Sequence, residues 1–440
     1  MAEVKPFRGL LYRETKLGED LSTVVAPPYD VISEGMRDEL YSRNKHNIIR
    51  LILGRDQEGD TDSDNKYTRA KKALDEWLEE GVLARDEKES FYVYQQDFTA
   101  SGRKRSRIGF LGLMLIDDPG DNIVVPHERT HSKPKEDRLN LIKQVRSNLS
   151  PIFTLYDDAE GAIKGVLERI SAKEPDIDIK IDEVRHRLWK LSEGPDIRKI
   201  VSVMAGKKVF IADGHHRYEV SRTYRDMMRL EDDYNGSADH VLMYFADMSD
   251  PENLTVMATH RVIKEMPLGA AEAREKLSRY FDITECRSLE ELMEMVENGE
   301  GHVFGYYDGG GYLFLRPKDE RSLLDLIEED RTDDWKDLDV SVLHAAVLKV
   351  ILSVSNAEGN ITYVRDAEDG RALVGQGTHK AAFFLKPTRI RQLRAVTGHG
   401  EVMPQKSTYF YPKLLSGMVI NRFNAGFAVQ GQKQAADRNN

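Results

Sequence analysis

The stretch Lys207–Leu230, KKVFIADGHHRYEVSRTYRDMMRL, decides how the chain is read. Val209, Phe210, Ile211 and Ala212 form a short apolar run, the pattern of a buried strand. Asp213 and Gly214 end that run. Beyond them Val220, Tyr224, Met227 and Met228 recur at helical spacing. Asp213-Gly214-His215-His216-Arg217 therefore falls on a strand-to-helix turn. Such a turn aims backbone N–H groups and the positive end of a helix at one point, a place for an anion. Gly214 lets backbone come close, and Arg217 brings a planar fork of donors suited to phosphate. The plainer alternative is a tight turn whose polar residues are merely solvated. A metal site is the weakest of the three. His215 and His216 are adjacent and diverge on a helix, with no third His or Cys at ligand spacing.

Around this turn lies a chain of 440 residues, long enough for two or three domains with their own cores. Lys plus Arg number 64 and Asp plus Glu 75, a formal charge of −11. That acidity argues against general binding to nucleic acid or an anionic membrane surface. The single cysteine, Cys286, excludes an internal disulfide framework and suits a reducing compartment. The opening MAEVKPFRG lacks the apolar core of a signal peptide, and no apolar run has the length of a bilayer span. The expectation is a soluble cytoplasmic protein.

Upstream of the turn, VVAPPYDVI (Val24–Ile32) is fixed by two prolines as an extended entry into a bend. A rigid structural turn is the preferred reading. The functional alternative has it wall a pocket, with Asp30 available to a ligand. Asn47–Gly54 reads as a buried strand and Tyr67–Glu80 as an amphipathic helix stopped by Gly81. Ser90–Phe98 and Arg107–Ile116 read as strands joined by a basic hairpin tip. Val124-Val125-Pro126 then leads into His127-Glu128-Arg129, which groups a base, a charge partner and an anion clamp just past a strand end. Taken alone, a surface ion pair is the preferred reading of that group.

Downstream, Leu254–Ile263 reads as one strand interrupted by Thr259-His260-Arg261. These three mark either a strand leaving the core or side chains lining a pocket. Composition changes near residue 265, where a domain boundary is expected: 1–265 as an N-terminal region, 266–428 as a C-terminal α/β domain, and 429–440 as a polar tail. The last informative stretch is Met403–Lys413, MPQKSTYFYPK, held extended by its prolines. Lys406 is a point charge suited to phosphate, and Ser407 and Thr408 offer hydroxyls. A proline-bounded loop packing its aromatics on the core is the competing view.

Three of these stretches together resemble a known family. The apolar strand followed by DGHHR resembles the nucleotide-phosphate motif of the archaeal free L-serine kinases, in the ParB/sulfiredoxin-like superfamily. Pro126-His127-Glu128 matches the step carrying their catalytic glutamate, and Pro404, Lys406, Ser407 and Thr408 match their acceptor segment, in the same order along the chain. Over nearly its whole length the sequence is similar to the domain-of-unknown-function-1015 family of serine-kinase-like proteins, through APPYDVI, HERT, SPIF, IADGHHRYE and MPQKSTYFYPKL.

The resemblance implies a mixed α/β fold with a ParB/sulfiredoxin-like catalytic core and an added C-terminal α/β portion. It implies a phosphotransferase acting on a small hydroxyl compound, with free L-serine as first candidate. The donor would be ATP, ADP or pyrophosphate, with Mg²⁺. Gly214, His215, His216 and Arg217 would cradle the donor phosphates, and Asp213 would hold Mg²⁺ or orient the phosphates. Glu128 would take the acceptor's proton. His127, Arg129, Arg261, Lys406, Ser407 and Thr408 would bind the acceptor, Arg261 through a carboxylate. The other class of function is a nucleotide-controlled switch without turnover. A sulfiredoxin-like reductase would need a cysteine at the turn, and Cys286 lies far along the chain.

Overall fold

The computed structural model describes residues 2–100, 102–118, 120–128, 132–250, 253–355, 357 and 359–423. The fold is mixed α/β. The chain forms two compact units, one comprising Met1–Val125, Thr130–Leu254 and Pro412–Asn440, the other Pro126–Arg129 and Thr255–Tyr411. Most of the second unit lies in Thr255–Tyr411. It also takes in Pro126–Arg129, while Pro412 onward returns to the first unit.

The first unit is built on a nine-stranded mixed sheet. In chain order its strands are β1 (Val4–Lys5), β2 (Phe91–Ala100), β3 (Arg103–Leu115), β4 (Val124–Val125), β5 (Ile152–Tyr156), β6 (Ile177–Ile181), β7 (Val184–Leu191), β8 (Val209–Asp213) and β9 (His240–Asp247). Their spatial order is β4-β8-β5-β9-β3-β2-β7-β6, with β1 alongside β3. β8 runs parallel to β4, and β9 parallel to β5; the remaining pairs are antiparallel. The helices that accompany these strands include α1 (Lys66–Glu79), α2 (Ser132–Val145), α3 (Lys164–Ser171), α4 (Pro195–Met204) and α5 (His215–Met228).

Local chemistry fixes these helices. Asn65 caps α1 through a reciprocal box with Thr68, and Ala70, Leu74 and Trp77 form its buried stripe. Pro195 opens α4, where its missing N–H costs nothing. The main core gathers Val166, Leu167 and Ile170 of α3 and Ile200 and Met204 of α4 onto Phe91, Phe110 and Phe245 of the sheet. On α5 the buried side chains are His215, Tyr218, Val220, Ser221, Tyr224 and Arg225. Met227, expected on that face, is 39% exposed, because the stripe has rotated past it by the last turn.

Two expectations need correction. Ile49–Ile52, read as a strand, is one turn of helix. Ile49, Leu51 and Ile52 are buried, and a short, mostly apolar run looks alike in either conformation. Leu254–Ile263 is two strands, not one: Thr255–Met257 pairs with Tyr409–Tyr411, and β10 (His260–Ile263) joins a different sheet.

That second sheet forms the other unit. It adds β11 (Phe281–Cys286), β12 (Phe304–Tyr307), β13 (Tyr312–Pro317), β14 (Ile361–Val364) and β15 (Ala381–Phe384). The strands are all antiparallel, in the order β11-β13-β12-β15-β10-β14. Leu292 and Val296 of the helix Leu289–Asn298 pack on Val262, Phe314 and Phe384. The glycine run Gly309–Gly311 lies in the β12–β13 hairpin connection, beside Asp308, which Arg274 grips with two bonds of 2.7 and 2.6 Å. It is a turn, as its sequence setting implies, and no phosphate loop.

Candidate functional site

In the first unit the site begins with an irregularity in β8. Its pairing with β5 runs Phe210↔Leu155 and Ile211↔Thr154, then jumps to Asp213↔Phe153. Ala212 is the extra residue, and a bulge of this kind re-aims the side chain that follows it. Gly214 comes next with φ 96°, a left-handed backbone that suits glycine. It is the N-cap of α5 and contributes no side-chain cap, so the first turn, His215 and His216, follows directly from the strand end. His215 is buried and His216 partly exposed.

Arg217 folds back over this turn. One guanidinium nitrogen donates to Asp213 Oδ2 at 2.7 Å, and the other donates to the Pro151 carbonyl. The fold-back is close: a Cβ on Gly214 would stand 2.9 Å from Arg217 Cζ. Asp213 is gripped from a second side as well, since Lys413 Nζ pairs with its Oδ1. Lys413 was not singled out by the sequence, and it reaches the turn from 200 residues away.

The backbone behind Lys413 is anchored from below. Gln96 Nε2 donates to the Lys413 carbonyl at 3.0 Å, and Arg107 donates to the Pro412 carbonyl. Arg107 has no solvent exposure; it also donates to Gln96 Oε1 and lies 4.5 Å from the centre of the Phe153 ring. Burial pulls its pKa down, while Tyr244, Tyr94 and Asp213 hold it up.

This donor set does not fit a metal held by Asp213. Both carboxylate oxygens of Asp213 face side-chain cations, which leaves little charge for a divalent ion. Among the described residues no group of three or more His, Cys, Asp or Glu could hold a metal.

The bend after Pro28 adjoins the same region. Tyr29, Arg138, Arg217 and Ser221 line one cavity, with Leu149 and Val220 on its apolar side. The Arg138 guanidinium sits 4.2 Å from the Tyr29 ring centre. Burial pushes the Tyr29 phenol up, Asp30 and Asp213 add to this, and Arg138 and Arg217 oppose it. The bend therefore does wall a pocket, through Tyr29; Asp30 itself is exposed.

The second unit gathers the other candidates. His127 is fully buried. Its Nε2 is 2.9 Å from Thr408 Oγ1 and 3.7 Å from Glu128 Oε1, and its carbonyl accepts from Met403 N at 2.8 Å. Residues 281 positions apart, His127 and Thr408, are thus brought together. Lys406 is exposed and has φ 54°, a left-handed backbone in a residue with a Cβ. Ser407 is buried, and its hydroxyl donates to the Pro404 carbonyl, closing the turn that presents Lys406. Arg129 lies outside the described residues.

Arg261 has a different employment from the expected carboxylate binding. It is 1% exposed. Its Nη2 donates to the Lys406 carbonyl at 3.1 Å and the Gln405 carbonyl at 3.3 Å, its Nη1 to the Thr259 carbonyl, and its Nε to His344 Nε2 at 3.2 Å. It holds the Lys406 turn from beneath. Burial brings its pKa down to about 10, with Tyr363 and Glu128 pulling the other way. Tyr363 faces Arg261 across the β10–β14 ladder, its ring 5.3 Å from the guanidinium. Its phenol is pushed up by burial; Arg261 lowers it, Glu128 raises it and Lys406 lowers it. Only the strand register reveals Tyr363, and one sequence alone does not supply that register.

A family model described as "Protein of unknown function (DUF1015)" matches residues 4–341. No curated protein matches the chain. Three solved structures show distant likeness. A conserved hypothetical protein from Pyrococcus furiosus is 16% identical, with TM-score 0.33, covering 66% of this chain and 87% of its own. A free serine kinase in complex with AMP is 17% identical, with TM-score 0.31, covering 66% and 83%. SbnI with a C-terminal truncation, from Staphylococcus aureus, is 13% identical, with TM-score 0.34, covering 70% and 85%.

Proposed function

The chain belongs to the DUF1015 family, and from that premise we propose that it is a phosphotransferase with an alcohol acceptor, free L-serine first, and a nucleotide or pyrophosphate donor. The observation that carries this reading is the Asp213–Arg217 turn. A bulged strand end, a left-handed Gly214, the N-terminus of α5 and the Arg217 fork converge on one spot. In phosphoryl transfer the protein mainly positions the groups and stabilises charge, and this turn is suited to both.

The roles divide by unit. In the first, the Gly214–Arg217 backbone and the Arg217 guanidinium hold the donor phosphates. In the second, Glu128 accepts the proton of the attacking hydroxyl, and His127, set against both Thr408 and Glu128, orients that carboxylate. Lys406 supplies positive charge toward the acceptor or the moving phosphoryl group. Ser407 and Arg261 act as positioning residues that hold the Lys406 turn. Any Mg²⁺ arrives as part of the donor complex.

The test is a transfer screen of the full-length protein, pairing ATP, ADP and pyrophosphate with serine, threonine and polyols. Phosphorylated acceptor is expected with at least one pair; its absence with all of them overturns the reading. Glu128→Gln should then lower turnover roughly 10²- to 10⁴-fold with donor affinity near wild type, since Gln keeps the shape but takes no proton. A Gln variant that turns over at the wild-type rate removes Glu128 as the base.

A further inference from the structure

We infer that Lys413 is the second phosphate-binding cation of the donor site, and that Asp213 serves there as a clamp holding two cations apart, in place of a protein-held metal. This rests on the phosphotransferase reading and deepens it. Three observations carry it.

The first is the charge arrangement: one carboxylate lies between an arginine fork and a lysine ammonium, at the mouth of a left-handed glycine turn. The pairs are partly accessible, at 14% for the Asp213 side chain, 13% for Arg217 and 12% for Lys413. Within this trio two cations face one carboxylate, an excess of positive charge that can admit an anion. The second observation is construction. Lys413 does not hang from a loose loop: Arg107 and Gln96, both without solvent exposure, bind the Pro412 and Lys413 carbonyls. Burying the Arg107 charge to hold the Pro412 carbonyl and Gln96 is costly, and what it secures is the backbone that carries Lys413. The third is the donor set, in which both Asp213 oxygens are already met by cations.

On binding, phosphate oxygens would accept from Arg217 and Lys413 while Asp213 keeps the two cations in place. Charge neutralisation of the donor would thus come from side chains, with Lys413 a compact point charge and Arg217 a bidentate fork.

Titration of the full-length protein with inorganic pyrophosphate, in EDTA and again with Mg²⁺, tests this. Wild type should bind in EDTA. Lys413→Met should weaken binding about tenfold or more, the size of one lost charge-assisted hydrogen bond, and Lys413→Arg should restore most of it. Circular dichroism and thermal melting would show both variants folded. Binding that appears only with Mg²⁺ overturns the inference. So does a Lys413→Met variant that binds as wild type, and so does a wild type that binds no pyrophosphate in either buffer. The two readings fail separately. Lys413-dependent binding with no acceptor ever phosphorylated sinks the phosphotransferase and leaves the cation pair standing. Transfer that is indifferent to Lys413 does the reverse.

Discussion

Gly214 and Lys406 hold similar left-handed backbones, with φ of 96° and 54°, and the consequences differ because one has a side chain. At Gly214 a methyl group would meet the Arg217 guanidinium at 2.9 Å and force an unfavourable φ. Gly214→Ala should therefore cost about 1–3 kcal/mol in urea unfolding and weaken pyrophosphate binding, because Arg217 must leave Asp213 to make room. Lys406 already bears that backbone strain. Lys406→Gly relieves it, and the gain is offset by the greater freedom of glycine in the unfolded chain, so stability should change by less than about 1 kcal/mol. Acceptor-dependent turnover should nonetheless fall, because the charge is gone. A residue kept for folding alone would lose stability and turnover together, so paired melts and rate assays separate the two cases. Gly214 could be picked out in sequence because a strand-to-helix turn asks for glycine. Lys406 drew notice for its charge, and its backbone strain was invisible there.

Among the elements, those with strong periodicity or caps were legible in the sequence: α4 begins at Pro195, and the β12–β13 hairpin turns at its glycines. The run at 47–54 was not, since Ile48, Ile49, Leu51 and Ile52 are all buried and no alternation distinguishes strand from helix. The break between Thr255–Met257 and His260–Ile263 was marked by Thr259, His260 and Arg261, but its meaning depends on pairings more than a hundred residues distant. The segment after Pro412 illustrates the same limit. Its lysine is plain in the sequence, while the anchor beneath it, Arg107, reads as one more basic residue near a hairpin. Arg107→Met should leave Gln96 Oε1 and the Pro412 carbonyl without that donor. The expected loss is about 1–3 kcal/mol, moderated because a buried charge is removed as well. Urea unfolding would measure it, and pyrophosphate titration would show donor affinity falling in the same variant.

The formal charge of −11 says little about how the whole chain answers to pH; its buried histidines say more. His186 in the first unit and His260 in the second are each 2% exposed. Burial, with Arg107 as a second cause, holds His186 down to about 3; burial, with Arg261, holds His260 down to about 4. His260 Nδ1 accepts from the Leu385 backbone N–H at 3.2 Å, a bond that protonation destroys. The unfolded chain binds these protons from about pH 6.5 downward while the folded chain refuses them. Stability therefore falls as the pH drops below about 6.5, each histidine contributing up to about 1.4 kcal/mol per pH unit. In the second unit His302 has the opposite sign. Burial lowers its pKa, but Asp339 at 2.8 Å and Asp337 at 3.3 Å, with Glu320, outweigh burial and leave it raised. Its stabilisation is fully present below about pH 6.5 and is lost as the pH climbs through the folded value. The histidine contributions thus favour a maximum near pH 6.5 for that unit. Urea unfolding followed across pH 5–8 checks this with two variants. His260→Gln should make the acid limb shallower, since Gln can still accept from Leu385 without gaining a proton; the remaining slope comes from His344, which burial and Arg261 hold down to about 3. His302→Gln should flatten the alkaline limb and leave the acid one steep. If His302→Gln changes only the acid limb, the charge assigned to that ring is wrong.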